Sequence, residues 1–259
     1  MSDRFQEPSS SRDQRCGPGD AIQVLDFATK DECALWAKQI LDRRDQWTQS
    51  FGRYDWTFGN AFYVLLEQGE IHRYHAQANE KNRLIASLSG YLDRMLAATA
   101  FLEHPGQRQG DSPTPLPASS RHESLGPYWC HSGVHVAGRN PKGSEHADFE
   151  GLAAHPEVLF DEGTRAYSAM LSIQKPRFGG GLHVWPGRLA GGHDQDDWTR
   201  HLMREPQAFD YPTGALTVID SFLVHQIQRT ITWGDQLRMV GVMHFLYRED
   251  PEPHWEYWF

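Results

Sequence analysis

Residues 167–185, YSAMLSIQKPRFGGGLHVW, set the fold class. The apolar run from Tyr167 to Lys175 has strand length, Phe178-Gly179-Gly180-Gly181-Leu182 is a tight glycine turn, and Gly181 to Trp185 resumes the strand pattern. On either side of this stretch, further short strands are expected at Tyr128 to Val136, Ala215 to Ile219, Gln226 to Thr232 and Leu237 to Tyr247, with a Gly/Asn/Pro turn at Gly138 to Gly143. Short strands in succession, without long helices between them, point to an antiparallel sandwich or barrel. The sequence contains no internal repeat.

Upstream of Tyr128 the pattern changes. Residues 1–19 mix Ser, Pro, Gly and charge without periodicity and read as a disordered tail. After an apolar stretch at Ile22, Val24 and Leu25, Thr29 and Glu32 stand three apart as in a capping box. The helix they open would bury Cys33, Leu35, Trp36, Ile40 and Leu41. A second helical region is expected from about Glu70 to Ala100, where Leu84, Ile85, Leu88, Tyr91, Leu92, Met95 and Leu96 fall at helical spacing. These helices should pack on the outside of the sheet. Residues 104–124, rich in Pro, Gly and Ser, are too long for an ordinary connector and read as a mobile loop or a lid. The expectation is one domain over 20–259: a helical lead-in at 20–103, a flexible loop at 104–124, a β core at 125–250 and an aromatic tail at 251–259.

The net charge of -9, with no Lys/Arg cluster, argues against a nucleic-acid partner. No apolar run approaches a membrane span and no signal segment is present, so a cytoplasmic protein is expected. Cys16, Cys33 and Cys130 are odd in number and scattered, which suits reduced thiols better than a disulfide framework or a zinc site.

The chemistry gathers at Ser144-Glu145-His146-Ala147-Asp148-Phe149 and at His225. In an extended segment, residues two apart share a face, so His146 and Asp148 can present an imidazole and a carboxylate to one ion. With a second histidine they form the two-histidine, one-carboxylate facial set that holds ferrous iron and leaves positions open. Spacing alone arises by chance in many chains, and on spacing alone the pair reads as solvated loop residues. The order of the downstream elements changes that reading. After His146-Ala147-Asp148 come the glycine turn, the strand entry Pro212-Thr213-Gly214, then His225, then Gly234 and Arg238.

This order, over about Tyr128 to Tyr247, resembles the iron- and 2-oxoglutarate-dependent oxygenases. The strand entry is shorter than the family's Pro-X-X-Gly, and three residues separate Gly234 from Arg238 where many relatives have one. The resemblance implies a mainly β protein with N-terminal helices around a double-stranded β-helix core of the jelly-roll, cupin-like kind. It also implies Fe(II) on His146, Asp148 and His225, with 2-oxoglutarate as co-substrate and O2 as oxidant. The co-substrate's far carboxylate needs a cation, and the planar fork of arginine suits it. If Gly234-Asp235 is a hairpin turn, His225 and Arg238 share the inward face. Arg229, four residues after His225, passes the same test and stays open as the alternative. A surface ion pair is the bland role for either.

Strand parity groups Val240 and Val242 with Arg238, as pocket lining or as ordinary core valines. His131 and His135 share a strand face and could bond a substrate carboxylate, although a strand histidine is more often structural. Trp185 could wall the site or simply pack. The acidic insertion His193-Asp194-Gln195-Asp196-Asp197 reads as a solvated loop. The tail His254-Trp255-Glu256-Tyr257-Trp258-Phe259 packs over the helices, makes a homodimer contact or, less in keeping with its composition, closes the site.

The segment Trp56-Thr57-Phe58-Gly59 with Tyr63, Asn82-Arg83-Leu84 and Tyr91-Leu92 is similar to the lead-in of small bacterial amino-acid hydroxylases and free-lysine halogenases. In those halogenases a small residue replaces the carboxylate ligand; Asp148 is present here, which implies oxygen transfer. The expected activity is hydroxylation of an unactivated C–H bond in a small molecule, an amino acid or derivative, with release of succinate and CO2. The alternatives are a cupin-like metalloenzyme, an isomerase or a dioxygenase needing no oxo acid, and a metal-free small-molecule-binding barrel.

Overall fold

A computed structural model describes residues 16–50, 53–102, 122–124, 130–138, 143–148, 165–189, 195–231, 236–248 and 254–259. The first half contains β1 (Ala21–Val24), α1 (Lys30–Leu41), β2 (Thr48–Gln49), β3 (Asp55–Phe58), α2 (Phe62–Glu67), α3 (Ile71–Ala86) and α4 (Tyr91–Leu96). Then come β4 (His122–Ser124), β5 (Gly133–Ala137), β6 (Ala166–Gln174), β7 (Phe178–Gly179), β8 (Leu182–Arg188) and α5 (Gln195–Leu202). The chain continues through β9 (Gln207–Phe209), β10 (Leu216–Asp220), β11 (Leu223–Ile227), β12 (Thr230–Ile231), β13 (Arg238–Arg248) and β14 (His254–Trp258).

The strands form a large sheet in the order β1-β10-β6-β13-β5-β3-β2, a smaller sheet β11-β8-β9, and a ribbon of β12 with β7. β13 is the axis of the large sheet. One of its edges pairs with β6, while the other is shared by β5, opposite 238–242, and β14, opposite 244–248. Side chains alternate along it. Val240 and Val242 join Met170, Leu182, Val184 and Leu223 in the core between the sheets. Met239, Met243 and Phe245 turn to the opposite face and meet Trp36, Ile85, Tyr91 and Met95 from the helices. Each fully buried side chain of this size stabilises the fold by about 1.5–3 kcal/mol.

The expected capping box forms: Glu32 N donates to Thr29 Oγ1 at 3.2 Å and Thr29 N donates to Glu32 Oε2 at 2.8 Å. α1 then buries Cys33, Trp36, Ala37 and Ile40. Leu35, expected inside, is 45 % exposed because it falls off that i, i+3, i+4, i+7 stripe. The single helical region expected from Glu70 to Ala100 is broken in two. Gly90 adopts a left-handed φ of 68° before α4, a conformation that glycine enters without steric penalty.

Three further expectations are corrected. The lead-in is not only helical, since β1 pairs with β10 and β3 with β5. The acidic insertion is a helix from Gln195 onward. The aromatic tail is a strand, β14, paired with β13 and buried at Trp255, Tyr257, Trp258 and Phe259: Trp255 and Tyr257 join the cluster on the helix side, while Trp258 and Phe259 turn to the core between the sheets. Of the tail expected to be disordered over 1–19 and the loop expected over 104–124, residues 1–15 and 104–121 lie outside the described residues, as does the Gly234-Asp235 turn, whereas Cys16 is buried and His122–Ser124 is the strand β4, paired with β14. No described helix is long and apolar enough to cross a membrane.

Candidate metal centre

His146 and His225 are locked backbone to backbone. His146 N donates to His225 O at 3.0 Å and His225 N donates to His146 O at 2.8 Å, an isolated antiparallel bridge on the edge of the smaller sheet. Directly opposed residues of an antiparallel pair point the same way, and the two imidazole centroids stand 4.3 Å apart. Asp148 follows in a turn rather than in the extended segment expected, yet its carboxylate reaches the same point. Asp148 Oδ1 lies 3.7 Å from His146 Nε2 and 3.5 Å from His225 Nε2. The three donor atoms all fall within 4.8 Å of one another.

The donor set fits a ferrous ion. His146 Nδ1 donates to Ser144 O at 3.0 Å and His225 Nδ1 donates to Leu223 O at 3.1 Å, each the carbonyl two residues back. A carbonyl only accepts, so in the neutral rings Nδ1 carries the proton and Nε2 keeps its lone pair for a metal. Burial pushes the His225 imidazole down to about 4, against the pull of Asp148, so the ring is neutral near pH 7. Burial works to raise the Asp148 carboxyl, but His225, His244, His146 and a hydrogen bond from Ser168 outweigh it and hold the group well below the usual carboxylate range. Two imidazoles and one carboxylate leave about three positions open on a six-coordinate ion.

No sequence motif marks His244, yet it stands beside the site. Its Nδ1 lies 3.9 Å from Asp148 Oδ2 and 3.0 Å from Ser168 Oγ, and its ring stacks on Trp258 at 5.3 Å. The alternation that places Arg238, Val240 and Val242 on one face, carried one step further, reaches it.

Arg238 and Arg229 separate clearly. β11 pairs with β8, and β13 pairs with β6 and β5, so the expected His225–Arg238 hairpin pairing does not exist. Arg238 is nonetheless interior, 3 % exposed on the inward face of the large sheet. Its Nε donates to Gly180 O at 2.9 Å, and its guanidinium carbon stands 5.5 Å from the centre of the Tyr211 ring. The glycine turn supplies that carbonyl through two left-handed residues, Gly179 at φ 71° and Gly180 at φ 73°. Arg229 is exposed beyond the end of β11, where its carbonyl accepts from Gly180 N at 3.1 Å.

His135 lies on β5 opposite Val240 and accepts or donates a short hydrogen bond with the Tyr63 hydroxyl from α2. It keeps partial exposure although burial, and next Arg238, push its imidazole down to about 3. His131 precedes the strand, so the expected shared parity is lost, and its ring packs edge-on to Tyr257 at 5.4 Å on the helix side of the sheet. Trp185 is buried at 6 % exposure. Val184 is the register partner of His225 and shares its face, so Trp185 points the other way, beside His183.

No family model matches the chain, and no curated protein matches its sequence. Among solved structures it is similar to an N-substituted L-amino acid dioxygenase from Burkholderia ambifaria AMMD in complex with alpha-KG. The TM-score is 0.53 at 12% identity, over 92% of this chain and 86% of that one. A second structure of that dioxygenase gives TM-score 0.53 at 14% identity over the same shares, 92% and 86%. The non-heme alpha ketoglutarate dependent carbocyclase SnoK from nogalamycin biosynthesis gives 0.49 at 13% identity, over 91% of this chain and 81% of that one. At such identities the likeness to the dioxygenase establishes the fold, a double-stranded β-helix.

Proposed function

We propose that the chain is an Fe(II)- and 2-oxoglutarate-dependent dioxygenase that hydroxylates an unactivated C–H bond of a small molecule, an amino acid or derivative. One observation carries the reading: His146, Asp148 and His225 converge on one point from the smaller sheet and its bridge while Arg238 enters the same interior from the larger sheet. A metal with three protein ligands and a buried cation on the opposing sheet are the two fixed points that a 2-oxo dicarboxylic acid would span.

His146 Nε2, Asp148 Oδ1 and His225 Nε2 would hold the iron. When bound, iron, 2-oxoglutarate and O2 supply an oxidative decarboxylation to succinate and CO2 coupled to hydroxylation. Arg238 would grip the co-substrate's far carboxylate. Its Nε–H is engaged by Gly180 O, and among the described residues its terminal amino groups make no hydrogen bond, so the fork stays available. Val240 and Val242 would line the channel between the two points and keep water away. His135, held by Tyr63, would bond a polar group of the substrate. The fold likeness to an N-substituted L-amino acid dioxygenase of Burkholderia ambifaria supports an amino-acid derivative. Asp148, a carboxylate where halogenases have a small residue, supports oxygen transfer rather than halogenation. Three buried free cysteines suit a reducing, cytoplasmic setting.

The test is anaerobic addition of Fe(II) and 2-oxoglutarate. A visible metal-to-ligand charge-transfer band should appear for the wild type and vanish in Asp148→Ala and His225→Ala. No band in the wild type, or a band that survives both substitutions, would exclude this function. Substrate-dependent release of succinate from a panel of amino acids and N-substituted derivatives then identifies the substrate.

A further inference from the structure

His225 owes its place on the smaller sheet to an irregularity in the neighbouring strand. Leu223 pairs with Arg188 and His225 with Val184, so a single residue of β11, Val224, spans the stretch that on β8 holds Trp185, Pro186 and Gly187. β8 therefore carries a bulge beside the strand of a metal ligand, the kind of place where bulges re-aim side chains. Counted on from the Leu223–Arg188 pair without a bulge, the residue opposite His225 would be Pro186, which has no N–H to give to a ladder. The bulge takes Pro186 out of the ladder and slides β8 by two residues, about 7 Å. His225 then meets Val184 on one edge while its N and O bond His146 on the other. A slip by two keeps the imidazole on the inward face.

The bulge is held from both sides. Gly187 has φ 93°, a conformation that glycine enters without steric penalty. Arg204, just past the end of α5, donates from Nη1 to Pro186 O at 2.7 Å, and a Cβ on Gly187 would overlap that nitrogen. On the other side, Arg188 Nε lies 3.1 Å from Asp220 Oδ2, and the Arg188 guanidinium carbon stands 3.9 Å from the centre of the Phe222 ring. Asp220 is buried, and its carboxylate also accepts from Phe222 N at 3.0 Å and from Gly19 N at 2.6 Å. Leu189 N donates to Phe222 O at 3.0 Å. The end of β8 is thus tied to the turn from which β11 sets out toward His225.

Resting on the proposed metal centre, we propose that Gly187 and Arg188 are positioning residues: the bulge they shape sets the register in which β11 presents His225 to the ion. Both act through the backbone of β11, and neither is a metal ligand.

Co(II) titration, followed by the visible absorption of the bound ion and by calorimetry, reads this without turnover. Gly187→Ala is strained at that φ and displaces Arg204 from Pro186 O, and Arg188→Met removes the ion pair. Each is expected to bind Co(II) roughly 10-fold more weakly, with an altered spectrum, the lower end of what losing a group that orients a ligand costs. Arg188→Lys keeps a cation beside Asp220 and should recover most of that loss. Urea midpoints separate stability from positioning, because a merely structural role lowers the midpoint and leaves the folded protein's Co(II) affinity and spectrum at wild-type values. That result in Gly187→Ala or Arg188→Met overturns the positioning role and leaves the metal centre standing. If Gly187→Ala does not fold, the two Arg188 variants decide, and equal Co(II) affinity in them overturns the proposal. Absence of Co(II) binding in the wild type overturns the metal centre, and the positioning role with it.

Discussion

The ring of Phe259 occupies the space that a side chain on Gly133 would fill: a Cβ built on Gly133 would overlap three atoms of that ring. Gly133 opens β5, two residues before His135, and the Phe259 ring stands 5.2 Å from the His135 ring. The absent side chain thus seats the end of the described chain inside the core, where Phe259 N donates to Cys130 O at 2.9 Å and Tyr74 Oη donates to Phe259 O at 2.8 Å.

Gly133→Ala is expected to displace the ring and destabilise the protein by about 1–3 kcal/mol, the usual cost of overpacking. Phe259→Ala should cost about 3–5 kcal/mol. The two residues share one space, so the double variant should be less destabilised than the sum of the singles. Urea titrations of the four proteins measure this, and simple additivity would show that the ring is not seated there.

Arg238 and Arg229 make opposite predictions. Arg238→Met should weaken 2-oxoglutarate binding roughly 100-fold, the scale of a lost charge-assisted fork, while Co(II) binding persists. Arg229→Met should leave both unchanged, since its side chain is outside the core. Titration of the charge-transfer band with 2-oxoglutarate separates them, and equal affinities for the two variants would remove Arg238 from its role.

Stability should fall with acid between neutral pH and about pH 4. Burial drives His135 down to about 3 and His225 to about 4, whereas unfolded histidines titrate at about 6.5. Below about 6.5 the unfolded chain therefore takes up protons that the native chain refuses, and the unfolding free energy rises with pH across that window. For the metal-free protein the loss from pH 7 to pH 5 should be on the order of 1–2 kcal/mol per histidine, and His135→Gln should remove its share of the slope. Urea titrations at pH 5, 6, 7 and 8 read the slope directly; a flat profile contradicts the burial assigned to these rings.

The thiols should be silent until the protein unfolds. Cys16, Cys33 and Cys130 are free and buried, and burial pushes Cys33 up to about 11 and Cys130 up to about 12. Low access and scarce thiolate both slow thiol–disulfide exchange. At pH 8 the native protein should react with no equivalent of a chromogenic disulfide reagent and the denatured protein with three. Rapid reaction of the native protein would contradict that burial.

Much of the site is legible in local pattern. The cap at Thr29, the glycine turn before Leu182 and the alternating faces of β13 all depend on residues within one turn or one strand of each other. Alternation also points to His244, two positions beyond Val242, because a period of two continues for the length of a strand. Pairing between distant segments obeys no such rule. The hairpin expectation brings His225 and Arg238 together as neighbours, yet each is held by strands distant in sequence, and they approach the interior from different sheets.

Which residue types could hold iron, and which strand faces they occupy, was already written in the chain, because side-chain chemistry and the two-residue period are local properties. That Trp185 turns away, that Arg229 stays outside, that the tail becomes a strand and that His244 comes within 3.9 Å of Asp148 emerged only on folding. Those outcomes depend on strand register and sheet packing, where a backbone partner distant in sequence sets the face a side chain presents.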